Sequence, residues 1–128
     1  VQGLHAEALP FLERIESWVA ESEDPVFQAK SLVDRALYHL TRGSIAQALS
    51  CCEEVFAPNR PGVTVDQRTE ASWIAGECAL AGGQWQQALI FADLTIENAL
   101  KAKWPFMMNR GSDLRRRIAE RQREPDSA

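Results

Sequence analysis

A chain of 128 residues, 45% hydrophobic and 25% charged, has the make-up of one globular domain with a single core and is too apolar for global disorder. The net charge of −4 is uneven: residues 1–109 carry eight basic against fourteen acidic side chains, and residues 110–128 carry six arginines against four acids. An acidic body with an Arg-rich end is not a general nucleic-acid binder. No apolar run approaches the ~20 residues needed to span a bilayer, so no membrane partner is expected. The opening V-Q-G-L-H-A-E lacks the basic and apolar regions of a signal peptide, and its first residue is Val, so either an excised domain of a larger protein or a processed chain is expected, in a cytoplasmic setting. Cys51, Cys52 and Cys78 have no disulfide-framework spacing and read as reduced core thiols.

In chain order, Leu4, Ala8, Phe11, Leu12, Ile15, Trp18 and Val19 recur at helical spacing, which predicts an amphipathic N-terminal helix within residues 1–24. Asp24-Pro25 pairs an N-cap acceptor with a proline at the first helical position and starts a second helix, to about Arg42. Its apolar face is Ala29, Leu32, Val33, Ala36, Leu37 and Leu40. Gly43 supplies a left-handed turn, and Ser44 is placed to cap a third helix over Ile45 to about Phe56. Helices joined by one or two residues must lie antiparallel, so residues 25–57 form a first hairpin.

A Pro- and Gly-rich loop fills 58–66, and Asp66 is the expected cap of a fourth helix over Gln67 to Ala81 that is apolar nearly all round. Gly82-Gly83 turns the chain into a fifth helix, Trp85 to about Lys103, so residues 67–103 form a second hairpin. Trp104-Pro105 breaks the pattern, because the residue before proline is pushed out of the α region. Phe106, Met107 and Met108 read as a short apolar plug, and Ser112 as the cap of a last helix from Asp113 to about Arg123. Residues 104–128 are thus expected to be a basic capping helix with a frayed tail from Pro125.

The two hairpins superpose at an offset of forty residues, with Leu40/Leu80, Gly43/Gly83, Gln47/Gln87, Ala48/Ala88 and Leu49/Leu89 identical. Two triples, Ala36-Gly43-Ala48 and Gly76-Gly83-Ala88, repeat a small residue, a turn glycine seven positions on and an alanine five further. In these residues the chain resembles the tetratricopeptide repeat family, over about 26–57 and 67–103. It departs from that family in its longer period and in Leu32 and Ser72 at the Trp-like position, with Trp73 one place off. The resemblance implies an all-α fold of five to six helices, its antiparallel hairpins stacked in a right-handed superhelix.

The family binds peptides or partner helices in a groove lined by the first helix of each pair. Carried to matching positions, that groove comprises Lys30, Val33, Asp34, Leu37, Leu40 and Thr41 from the first unit, and Glu70, Trp73, Ile74, Glu77, Leu80 and Ala81 from the second. Such a surface is partly apolar with acidic points and suits an amphipathic or basic segment. Trp73, Leu37 and Leu80 fit equally well as core residues covered by a flanking helix. The Lys and Asn set that holds a C-terminal carboxylate in some relatives is absent.

Arg110, Arg115, Arg116, Arg117, Arg121 and Arg123 form the strongest polar feature. They suit a solvated cap that keeps a repeat stack soluble, a docking patch for an acidic partner or a second copy, or phosphate contacts; nucleic acid is the least supported of these, since no aromatics interleave with them. No Gly-rich phosphate loop, metal-ligand spacing or paired nucleophile and base stands out, so the chain is expected to be non-enzymatic and to need no cofactor. The expectation is a scaffold or adaptor module for a protein or peptide partner. The alternative is a ligand-sensing or oligomerising domain of a bacterial multidomain transcriptional regulator.

Overall fold

The structure, a computed structural model, describes residues 24–123; the expected helix before Asp24 and the expected frayed tail lie outside the described residues. Within them the chain is all-α, with five helices and no strand: α1 (Pro25–Thr41), α2 (Ile45–Phe56), α3 (Val65–Ala81), α4 (Trp85–Ala102) and α5 (Pro105–Arg123).

Several helix ends have a local chemical cause. Asp24 accepts a hydrogen bond from the Val26 backbone N–H through its carboxylate at 2.9 Å, with Pro25 behind it at the first helical position. Arg42 and Gly82 close α1 and α3, and Gly43 and Gly83 follow in the left-handed region at φ +78° and +71°. There the backbone N–H of Ser44 reaches the His39 carbonyl and that of Gln84 reaches the Ala79 carbonyl, satisfying acceptors the helix ends leave open. Lys103 adopts the same conformation after α4, at φ 53°, without being glycine.

Three sequence expectations are corrected. Ser44 occupies the cap position of α2 but makes no side-chain cap bond. The cap of α3 is Thr64, not Asp66: Thr64 accepts from the Gln67 N–H, the Gln67 side chain accepts from the Thr64 N–H, and the helix starts at Val65. The break at Trp104 is a helix start, since the Met107 and Met108 N–H groups both reach the Trp104 carbonyl. Residues 106–112 are therefore helical, and Ser112 lies in mid-helix.

With that correction the period extends to a third copy, for α1, α3 and α5 begin at residues 25, 65 and 105. The second and third of these rest on the hairpin before them: α3 packs on α1 and α2, and α5 packs on α3 and α4. The odd-numbered helices touch in succession, whereas no close backbone approach joins α2 to α4. Only side chains bridge those two, as in the stacked rings of Phe56 and Phe91 at 5.9 Å.

Two core clusters result. The first joins Leu32, Val33 and Ala36 to Cys52 and Val55 and to Ala71, Ile74 and Ala75; the second joins Ala79 and Leu80 to Ala88, Ala92, Leu114 and Ile118. Trp73 packs against both. The hydroxyls of Thr69 and Ser72, buried on α3, donate to the carbonyls four residues back at 2.7 Å, so neither is left unsatisfied. Cys51, Cys52 and Cys78 are buried and form no disulfide among the described residues; burial pushes the Cys78 thiol up to about 11 and the Cys52 thiol higher, so both stay protonated at neutral pH.

Gly76 and Gly111 mark where helices cross most closely. A methyl group on Gly76 would lie 2.5 Å from the Leu114 side chain, and one on Gly111 would lie 2.7 Å from Ile96 and 3.3 Å from the Ala92 carbonyl. Gly111→Ala is expected to separate α4 from α5 and lower stability by about 1–3 kcal/mol in urea denaturation, despite the better helix propensity of alanine. Gly43→Ala, whose new methyl meets no atom within 4 Å, should cost only its left-handed backbone strain, about 1 kcal/mol.

Candidate functional site

Because the odd-numbered helices succeed one another, their outward faces form one surface. A groove of about 590 Å³ opens on it. Leu40 of α1 lies at one side, Trp73 and Glu77 of α3 form the floor, and Phe106, Asn109, Arg110, Asp113 and Arg117 of α5 form the other side. Trp73 is half-buried, with its inner side on both core clusters; Phe106 is 57% exposed.

The Arg110 guanidinium carbon lies 4.3 Å from the Trp73 ring centroid and 4.7 Å from that of Phe106. The cation thus stacks on two aromatic rings, one from each of two helices. Arg117 forms a fork on the Glu77 carboxylate, with one bond at 3.1 Å, and its Nε donates to Asp113 at 2.9 Å. This pairing ties α5 to α3, and because Glu77 is largely shielded it is stronger than a surface ion pair. Arg116 donates to both Glu120 and Asp113, and hydrogen bonds from Arg116 and then Arg117 hold the Asp113 carboxyl below the usual range. Arg115 pairs with Asp93 of α4 at 3.0 Å.

The six arginines therefore do not make one basic patch. Arg115, Arg116 and Arg117 are matched by carboxylates, Arg110 belongs to the groove, and Arg121 and Arg123 extend from the exposed last turn of α5.

The residues expected to line a groove divide in the same way. Val33, Ile74 and Leu80 are 2%, 1% and 6% exposed and belong to the core, because the helical faces that carry them turn toward neighbouring helices. Leu40, Trp73 and Glu77 line the groove, while Lys30, Leu37, Thr41 and Ala81 are exposed outside its wall. Phe106, Asn109 and Asp113 were not expected in the wall. Pro105 stands eighty residues after Pro25 in the same register, and this is the sequence signal that places them on a third repeat helix.

Beyond the groove, Asp34 of α1 and Glu70 of α3 are half-buried near Lys30. Burial pushes both carboxyls up and the Lys30 ammonium opposes this; for Glu70 the charges of Asp34 and Asp66 raise it further. The surface is thus acidic where α1 meets α3 and carries a stacked cation where α3 meets α5.

Among the described residues no group of three metal-binding side chains is found and no helix is long and apolar enough to cross a membrane. The class defined so far is an all-α stack of helical hairpins with an aromatic groove along one side. Comparison with family models, with curated proteins and with solved structures finds no match to the chain.

A carboxyl whose pKa is higher folded than unfolded weakens the fold when ionised, and the loss is relieved as pH falls through the raised value. Asp34→Asn is therefore expected to raise the melting temperature at about pH 7. The gain should vanish near pH ~3, where the carboxyl is protonated in both states; melts of the two proteins at both values check this.

Proposed function

We propose that the chain is a non-catalytic protein-interaction module, a scaffold or adaptor, that docks an amphipathic peptide or helix along the odd-numbered helices. The observation that carries this reading is the groove itself, apolar at Trp73, Leu40 and Phe106 and charged at Glu77, Arg110, Asp113 and Arg117. Binding grooves for helical segments combine apolar anchoring positions with polar groups that fix register in this way. Leu37 and Phe106, 40% and 57% exposed, would offer apolar contacts on both sides of Trp73. The half-buried carboxylates Asp34 and Glu70 would favour a basic residue in the part of the partner lying across α1 and α3.

Support for a tetratricopeptide-like stack comes from the period of forty, now in three copies, and from the small residues at the helix crossings: Ala36, Ala48 and Ala88 are fully buried, and Gly76 abuts Leu114. Close approach of α1, α3 and α5, with α2 and α4 apart, fits a superhelix whose inner side carries the groove. Its right-handed sense follows from the resemblance alone. Buried thiols outside any disulfide fit a reducing cytoplasmic setting.

A random library of 12-residue peptides displayed on phage provides the test. Selected peptides titrated into ¹⁵N-labelled protein should shift the Trp73 indole resonance and the backbone signals of Leu37, Leu40 and residues 106–113. Leu37→Ser with Phe106→Ser should weaken binding about tenfold or more while leaving the helical circular dichroism unchanged, since both side chains are exposed. Shifts confined to the exposed Ile90, Leu94 and Leu100 of α4 would contradict the reading and place binding on a different face.

A further inference from the structure

Arg110 differs from its neighbours on α5. Arg115, Arg116 and Arg117 each have a carboxylate at hydrogen-bond distance, but among the described residues Arg110 has only ring contacts, with Trp73 and Phe106. Its natural helical partner would be Asp113, three residues on, the spacing at which an acid can neutralise an arginine. Asp113 is instead held by Arg116 and Arg117, and the groove's other carboxylate, Glu77, takes the fork of Arg117. The ion-pair network thus keeps both groove carboxylates engaged and leaves one half-buried cation in the groove with no carboxylate at ion-pair distance among the described residues.

Stacking decides what that cation can receive. The guanidinium carbon lies over two rings, at cation–π distance from each, and the N–H donors of a guanidinium lie in its own plane, where ring contacts leave them without an acceptor. A planar fork of donors matches a carboxylate bidentately. Asn109, on the same side of the groove, offers an amide donor beside it.

We infer that Arg110 is the receptor for one side-chain carboxylate, an Asp or Glu, on an amphipathic partner segment whose aliphatic residues rest on Leu40, Trp73 and Phe106. This rests on the docking reading above and adds the partner's chemistry at one position. Phosphate is disfavoured because a dianion would face Glu77 and Asp113 in the same groove, and a single carboxylate meets half that repulsion.

The probe is a set of N-acetylated, C-amidated 12-residue helical peptides with four randomised positions on one face, so that no terminal carboxylate competes. Peptides retained by the wild-type protein should be enriched in Asp or Glu together with Leu, Ile or Met. Changing the retained acid to its amide should cost about tenfold in affinity, as should Arg110→Gln, and the two changes together should cost little more than either alone. Arg110→Lys should recover only part of the loss, since it restores the charge without the planar fork. Retained peptides with no acidic preference, equal losses for acid and amide peptides on Arg110→Gln, or preference for phosphoserine over glutamate would each overturn the inference while leaving the docking reading intact. Retention of no peptide at all would overturn the docking reading itself. Should Arg110→Gln fail to fold, the acid-to-amide change against wild-type protein decides the matter alone.

Discussion

The arrangement depends on one helix built to be approached from all sides. Of the five helices only α3 contacts all the others. It can do so because its buried positions are small: Ala71, Ser72, Ala75, Gly76 and Ala79 let neighbouring backbones come close, and Ile74 and Leu80 fill what remains. Close approach strengthens dispersion contacts but removes water from every polar group it covers. The hydroxyls of Thr69 and Ser72 escape that cost by donating to carbonyls of their own helix. A larger side chain at Gly76 would push Leu114 out of place, and with it α5.

The groove follows from that packing. Trp73 is too large for the small-residue faces of α3, so it lies where the two clusters meet, with one side on the core and the other in the groove. Its core and groove roles are therefore not alternatives, and truncating it would disturb both. Helix α5 then supplies the second wall, held by Leu114 and Ile118 inside and by the Arg117–Glu77 fork at the rim. The acidic pairing that neutralises Arg115, Arg116 and Arg117 also leaves Arg110 on Trp73 and Phe106 with no carboxylate at ion-pair distance among the described residues.

Much of this was legible in the chain because local chemistry determines it. Asp24-Pro25 and the glycines at 43 and 83 set helix ends that hold whatever packs around them, and the repeat of forty residues placed the hairpins. The misses arose where two local signals competed. Trp104-Pro105 serves equally to end one helix and to start another, and Ser112 resembled a cap although its neighbours on both sides continue a helix. Thr64 won over Asp66 because Gln67 completes a reciprocal pair with it. Groove and core residues could not be separated on α1 and α3, since Val33 and Leu37 share one apolar stripe and only the position of the neighbouring helices decides which of them is covered. Arg115 and Arg117 looked like part of one patch because their partners on other helices, Asp93 and Glu77, are distant in sequence.

If α3 organises the stack and α5 belongs to its core, the two must open together. Native-state amide hydrogen exchange measures this directly. The backbone amides of Ala75 to Cys78 and of Leu114 to Ile118 should be the slowest in the described residues and should exchange with one common free energy, equal to that of global unfolding. Amides of α5 exchanging through a separate, lower-energy opening while α3 stays protected would show α5 to be an appendage, and would remove the wall on which the groove depends.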